Sequence, residues 1–445
     1  AIAALVQLLQ STSVPDYTRW QAASSLGTIG TGNENAIAAL VQLLQSTTVD
    51  DYTRWQVASS LGTIDPGNEN AIAALVQLLQ STTVDDGFRR QVASSLGKIG
   101  TGNENVIAAL VQLLQSTTVD DSTRWQAADS LGRIGTGNEI AIAALVQLLQ
   151  STTVSDDLRR QVASSLRRIG TGNKNAIAAL VQLLQSTSVP DYTRWQAASS
   201  LGTIGTGNEN AIAALVQLLQ STTVDDYTRW QVASSLGTID PGNENAIAAL
   251  VQLLQSTTVD DGFRRQVASS LGKIGTGNEN VIAALVQLLQ STTVDDSTRW
   301  QAADSLGRIG TGNEIAIAAL VQLLQSTTVS DYTRMLAVDS LGEIDPGNEI
   351  AIAALVQLLQ STTVDDSTRW QAASNLKKIL QNNKHRFAVV KALSGYWQLD
   401  DNYYDLAWKC AQNMTYPDFY QAWHQHNFAT RAMQSLNKIL FTRII

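Results

Sequence analysis

The sequence predicts an all-α solenoid, and three observations carry that expectation. One 35-residue unit recurs eleven times across residues 1–380. Each unit holds two helical patterns separated by turn signals. Residues 1–156 recur letter for letter as 176–331. A fixed period of this size marks units that bury their apolar faces only against their neighbours, so chain length counts stacked units. The duplication also supplies an internal alignment, in which fixed and varied positions are visible without a homologue.

The first helix of the unit, helix A, is the block Ala-Ile-Ala-Ala-Leu-Val-Gln-Leu-Leu-Gln that begins at Ala1, Ala36 and Ala71 and onward to Ala351. Ile2, Leu5, Val6 and Leu9 share one helical face, widened by Leu8. Gly32-Asn33-Glu34 precedes the next copy and provides a capping Asn with a first-turn acid. Ser11 to Pro15 end helix A. Helix B then runs from Asp16 to Gly30, where Gly30-Thr31-Gly32 stops it with residues tolerant of left-handed backbone; Asp65-Pro66-Gly67 does so in the second copy.

On a helical wheel, Leu26 marks the core direction of helix B, with Arg19, Ala22, Ala23 and Ile29 within about 60° of it. Tyr17, Trp20, Gln21, Ser24 and Thr28 lie opposite. The leucine and isoleucine recur in all eleven copies, whereas the outer positions vary. Position 17 reads Tyr17, Gly87, Ser122 or Asp157; position 20 reads Trp20, Arg90 or Met335; position 28 runs through Thr28, Lys98, Arg133 and Glu343. If exposure alone permitted variation, Gln7, Gln10 and Ser11 of helix A would vary too, and they do not. The outer stripe of helix B is therefore expected to face a ligand.

Asp16 and Arg19 recur in every unit, for example as Asp51 with Arg54 and Asp121 with Arg124. No His or Cys occurs in 1–380 to support a catalytic reading. The arginine sits near the core, where a guanidinium is costly unless paired, and an aspartate at the helix B N-terminus is favoured by the dipole. The pair is expected to staple units together.

The run Asp-Tyr-Thr-Arg-Trp-Gln-Ala-Ala-Ser-Ser-Leu-Gly-Thr-Ile-Gly (16–30), followed by Ala-Ile-Ala-Ala-Leu, resembles the HEAT repeat, specifically the subtype named after phycobilisome lyases. The pattern covers all eleven copies, with Arg167 and Lys377 replacing the Leu-Gly glycine. The resemblance implies that helix B lines the concave side and that the Asp/Arg pairs form a ladder. It says little about function, because that family spans lyases, hydroxylases, repair enzymes and scaffolds.

Seven of the ten tryptophans occupy position 20: Trp20, Trp55, Trp125, Trp195, Trp230, Trp300 and Trp370. Tyr17, Tyr52, Tyr192, Tyr227 and Tyr332 accompany them, the composition of interface hot spots. Position 20 lies about 120° from the core direction, which leaves open whether these tryptophans meet a ligand or wedge between units. Charge on the stripe is patterned. Arg90, Lys98, Arg133, Arg160, Arg167 and Arg168 make units 3–5 basic, with Asp129 among them. Arg265, Lys273 and Arg308 repeat part of this in units 8–9 beside Asp304, and unit 10 turns acidic through Asp339 and Glu343. Alternating sign suits an extended polypeptide better than a polyanion.

The chain carries a formal net charge of −9, with 23 basic and 35 acidic residues in 1–380. An acidic body disfavours generic nucleic-acid binding. A single cysteine, Cys410, excludes a disulfide framework and fits a reducing cytosol. No apolar stretch approaches the length of a membrane span. The first residue lies inside a helical pattern with no capping segment before it, as expected for a piece of a longer chain.

Composition shifts after Leu380. Residues 381–445 hold all three histidines, Cys410 and a dense aromatic set, and are expected to form a mostly helical capping module. Phe387–Leu393 and Tyr403–Cys410 read as short helices, with another opening at Pro417. Cys410, His424 and His426 lack the paired spacing of a metal site. Trp-Lys-Cys-Ala-Gln-Asn-Met-Thr-Tyr-Pro-Asp-Phe-Tyr-Gln-Ala-Trp-His (408–424) resembles the C-terminal module of cyanobacterial NACHT-type STAND NTPases. That resemblance implies an ATP-binding switch upstream and a sensor role for the repeats. No Gly-rich phosphate loop occurs in this sequence.

The expected molecule is a right-handed α-solenoid in the cytoplasm, without cofactor or catalysis, that binds a protein or peptide on its helix B surface. Two alternatives remain. A bilin lyase or its chaperone subunit would need a reactive group, and Cys410 alone is available; a scaffold or nucleic-acid-binding solenoid would use the arginines of units 3–5.

Overall fold

Two helices per unit form as expected. Helix A of unit 2 runs Glu34–Gln45 and helix B Asp51–Ile64, and the pair recurs to Glu349–Leu359 and Asp366–Ile379. The structure, a computed structural model, describes residues 1–46, 48–221, 223–256, 258–326, 328–395 and 401–424, and no strand occurs among them. The chain divides into two compact bodies, Ala1–Ile239 and Asp240–Ile445. Each is an all-α stack in which helix A packs on helix A, helix B on helix B, and the two layers on each other.

Local chemistry explains the boundaries. Asn33 Oδ1 accepts the Ala36 N–H at 3.0 Å and starts helix A; Asp50 Oδ1 accepts the Thr53 N–H at 2.6 Å and starts helix B. Gly32 adopts φ +69°, the left-handed turn that ends the unit. Gly30 departs from the expectation, since its φ of −91° is open to any residue. Its reason is steric: a Cβ there would stand 2.6 Å from Leu26 O and 3.3 Å from Ala36 Cβ, where the next helix A passes.

Stacking uses three devices besides the leucine core. The position 27 glycine admits the next helix B, since a Cβ on Gly97 would lie 2.7 Å from Ser130 Cβ. That serine donates to Ala93 O at 2.8 Å. Among the two departures, Arg167 points to solvent and Lys377 turns to Asp405 at 3.4 Å. Backbone bonds also cross units: the Gly67 N–H donates to Ile99 O at 2.8 Å, satisfying a helix-terminal carbonyl. Ile64 packs on the Gly30 turn of the preceding unit and is fully buried, whereas Ile29, in the first unit of this sequence, lacks that neighbour and is 49% exposed.

On the helix A layer, glutamines form a rung. Gln45 Nε2 donates to Gln77 Oε1 at 3.3 Å, Gln115 to Gln147 at 3.0 Å and Gln290 to Gln322 at 3.1 Å. Ser116 Oγ pairs with Thr118 Oγ1 at 2.9 Å in the following turn. The constancy of the Gln7, Gln10 and Ser11 positions therefore has a structural cause, and it does not by itself mark variable helix B positions as ligand-facing.

The C-terminal segment continues the stack. Asn383–Leu393 packs on helix A of unit 11 and Asp401–Gln412 on its helix B. Gln360 Nε2 donates to Ala392 O at 3.3 Å across the same 32-residue offset as the glutamine rungs. The expected helices at 387–393 and 403–410 are thus parts of a twelfth helix pair in the repeat's register, built without its consensus residues. A further helical stretch covers 416–424, where one was expected to open at Pro417.

Candidate partner-binding surface

The surface rests on the staple at the start of helix B. Asp121 Oδ1 pairs with Arg124 Nη1 at 2.9 Å, while Asp121 Oδ2 accepts the Ser155 N–H of the next unit at 3.0 Å. Arg124 Nε donates back to Leu114 O at 3.2 Å, where helix A ends. One Asp/Arg pair thus joins helix A, helix B and the following helix B. Asp16 accepts the Asp50 N–H at 2.9 Å in the same way, beside its pair with Arg19. At the position equivalent to Ser155 the next unit has Pro190, which has no N–H to offer, and among the described residues Asp156 keeps its pair with Arg159 at 2.7 Å. Asp51 pairs with Arg54 at 3.4 Å but is largely exposed. Burial alone would raise the Asp121 carboxyl; the Ser155 and Arg124 bonds outweigh it and hold the group below the ordinary aspartate value.

Above the staple runs an aromatic row. Tyr17 and Trp20 stand at 6.3 Å, Trp20 and Tyr52 meet edge-on at 5.8 Å, and Tyr52 stacks on Trp55 at 6.1 Å. Trp195, Tyr227 and Trp230 repeat the arrangement. Trp20 and Trp195 thus pack against the tyrosine of the next unit, whereas Trp55 and Trp125, which meet Gly87 and Asp157 at that position, are 38% and 37% exposed.

The row is notched where the tyrosine is replaced by Gly87 and Ser122. A depression of about 640 Å³ opens there, lined by Tyr52, Trp55, Phe88, Arg90, Gln91 and Gln126. A second, of about 520 Å³, shares Arg90 and Gln126 and continues past Trp125 to Arg160. Phe88 is itself capped by Arg54, 5.1 Å above its ring. The glutamines were missed as site residues from sequence, since their near-constancy at position 21 marks no contrast between copies.

Charges on this surface are mostly held. Arg90 pairs with Asp120 at 3.3 Å; Arg160 pairs with Asp157 at 3.1 Å and lies 5.7 Å over the Tyr192 ring. Asp129, expected on the outer stripe, is only 6% exposed. Its carboxylate accepts from Arg133 and Arg168, both at 2.8 Å, and from Gln161 at 3.1 Å. It therefore holds two exposed guanidiniums in place and is not itself a free surface. Lys98 is exposed and makes no ion pair among the described residues.

In the second body the same stripe differs. Arg265 donates to Ser297 Oγ at 2.6 Å, where Arg90 of the first body pairs with Asp120. Asp304 pairs with Arg308 of its own helix. Asp339 accepts from Gln371 and, at 2.9 Å, from Asn375. Lys273, Glu343, Tyr332 and Trp370 are exposed, and Trp300 is half-buried. Cys410 is 1% exposed, and burial pushes its thiol up to about 12, so it stays protonated. His426 lies outside the described residues. No described helix is long and apolar enough to cross a membrane.

Stacked helix pairs, an inter-unit Asp/Arg staple and a varied aromatic layer define an α-solenoid of the repeat class. The chain belongs to the HEAT-repeat family, whose pattern matches successive windows from 2–87 to 293–377. Residues 396–424 match the family described as NACHT C-terminal cysteine- and histidine-containing. Among solved structures, an importin beta chain is 15% identical with a TM-score of 0.54, covering 99% of this chain and 66% of that one. A chain from the structure of Kap95p with RanGDP is 13% identical with a TM-score of 0.57, covering 94% and 62%. These likenesses are to the fold alone. No curated protein matches the chain.

Proposed function

We propose that this chain is the partner-recognition region of a larger NACHT-type signalling or defence protein, and that it takes a protein or peptide on the helix B layer of units 2–5. The observation that carries the reading is the pair of joined depressions at Gly87 and Ser122, walled by half-exposed Trp55 and Trp125 and by fixed arginines. The repeat region senses, and a nucleotide switch elsewhere in the full protein responds. The NACHT-associated match at 396–424 supports that context. The lyase alternative loses its one reactive group, since the Cys410 thiol is buried and protonated.

The test is capture of partners from source-cell lysate by the purified chain and by its Trp55→Ala/Trp125→Ala variant. Loss of the captured protein with helical content unchanged is expected. Retention by that variant, with loss on substituting the helix A glutamines Gln112 and Gln115, would move the site to the other layer.

A further inference from the structure

Position 28 of helix B carries one cation per unit in units 3–5: Lys98, Arg133 and Arg168, all exposed. The row has ends. The same position is Thr28 and Thr63 before it and Thr203 and Thr238 after it, and these hydroxyls bond inward to carbonyls of their own helices. Arg133 and Arg168 are held side by side by the one buried carboxylate of Asp129, while Lys98 and the neighbouring Arg167 make no ion pair among the described residues. The patch is thus a short, net-positive row on repeats that are acidic in sum.

Packed helices lie about 8–10 Å apart. A polyproline II strand rises about 3.1 Å per residue with three residues per turn, so its side chains at i, i+3 and i+6 recur at about the same interval. A pleated β-strand presents one face every second residue and does not keep that register. We propose that the cationic row of units 3–5 binds a short acidic peptide in the polyproline II conformation, with a carboxylate at every third residue meeting Lys98, Arg133 and Arg168. This rests on the helix B reading above and names its partner's chemistry. Nucleic acid fits less well: a polyphosphate longer than three rungs would run onto neutral threonines and then an acidic body. The duplicated row in units 8–10 reads Lys273, Arg308 and Glu343, so its third rung repels a carboxylate.

The experiment uses the full chain and fluorescence anisotropy with three labelled probes. These are a Glu-Pro-Pro repeat peptide, a peptide of the same composition with its glutamates clustered, and a single-stranded oligonucleotide. The periodic peptide is expected to bind about tenfold more tightly than the clustered one, and to weaken about tenfold on Lys98→Glu or Arg168→Glu but not on Lys273→Glu. Because Lys98 is exposed and without an ion pair among the described residues, its variant reports on binding even if Arg168→Glu disturbs the Asp129 seam. Equal binding of the two peptides, indifference to Lys98→Glu, or tighter binding of the oligonucleotide would each overturn the proposal. If the captured partner is lost on Trp55→Ala/Trp125→Ala but kept on Lys98→Glu and Arg168→Glu, the helix B reading stands and this inference fails.

Discussion

Units 4 and 9 are identical in sequence, yet Asp129 and Asp304 lead different lives. Asp129 is buried beneath Arg133, Arg168 and Gln161, whereas the side chain of Asp304 is 36% exposed and, among the described residues, pairs within its own helix, with Arg308 and Gln301. The cause lies one unit on. Arg168 and Gln161 in unit 5 become Glu343 and Leu336 in unit 10, which removes both donors that reach back across the seam. A residue's role in this stack is therefore set by its neighbour as much as by its own unit, and copying a unit does not copy its surface.

That contrast gives the largest expected effect. Asp129→Ala removes the buried carboxylate that holds the solvent-reaching Arg133 and Arg168 and leaves the buried Gln161 amide short of an acceptor, and should cost about 1–3 kcal/mol. Asp304→Ala, at a more exposed pair, should cost under about 1 kcal/mol. Urea unfolding with hydrogen exchange at seam amides measures both, and equal losses would erase the distinction. Next in size is the coupling itself. A double-mutant cycle between Asp129 and Arg168 should return about 1–2 kcal/mol, and a Gln161→Leu/Arg168→Glu chain should make Asp129→Ala as mild as Asp304→Ala.

The staple should titrate alike in both copies. Asp121 and Asp296 are held below the ordinary aspartate value despite burial, through the N–H groups of Ser155 and Ser330 and their own arginines. A folded value below the unfolded one means stability that is complete above about pH 4 and lost as pH falls through the lowered value. Asp121→Asn should therefore be less stable than the parent chain at about pH 6 and indistinguishable from it near pH 2. A gap that persists in acid would remove the carboxylate from the account. Smallest is the amide rung: Gln115→Ala should cost under about 1 kcal/mol, because its bond to Gln147 is exposed to water.

The helices, their Asn caps and the Asp16/Arg19 staple were legible because each signal is local and repeated eleven times. What was illegible acts at long offset. The Gln45–Gln77 rung and the Asp129–Arg168 pair span 32 and 39 residues, and neither end carries a mark of its partner. The Gly30 position was misread because a glycine at a turn suggests left-handed backbone, while its true constraint is the approach of Ala36. The twelfth helix pair was read as a cap, since it keeps the register of the repeat while losing its residues. In the candidate site the aromatic row was visible in the sequence, but the notch depends on which tyrosines are missing and on glutamines that are the same in every unit but the tenth.

The central claim is that a partner sits on the helix B layer of units 2–5, and oxidative footprinting of the chain with its captured partner tests it most directly. Trp55 and Trp125 should be protected, while Leu8 and Ile140, exposed on helix A, should oxidise as in the free chain. Protection of Leu8 and Ile140 with both tryptophans unprotected would contradict it.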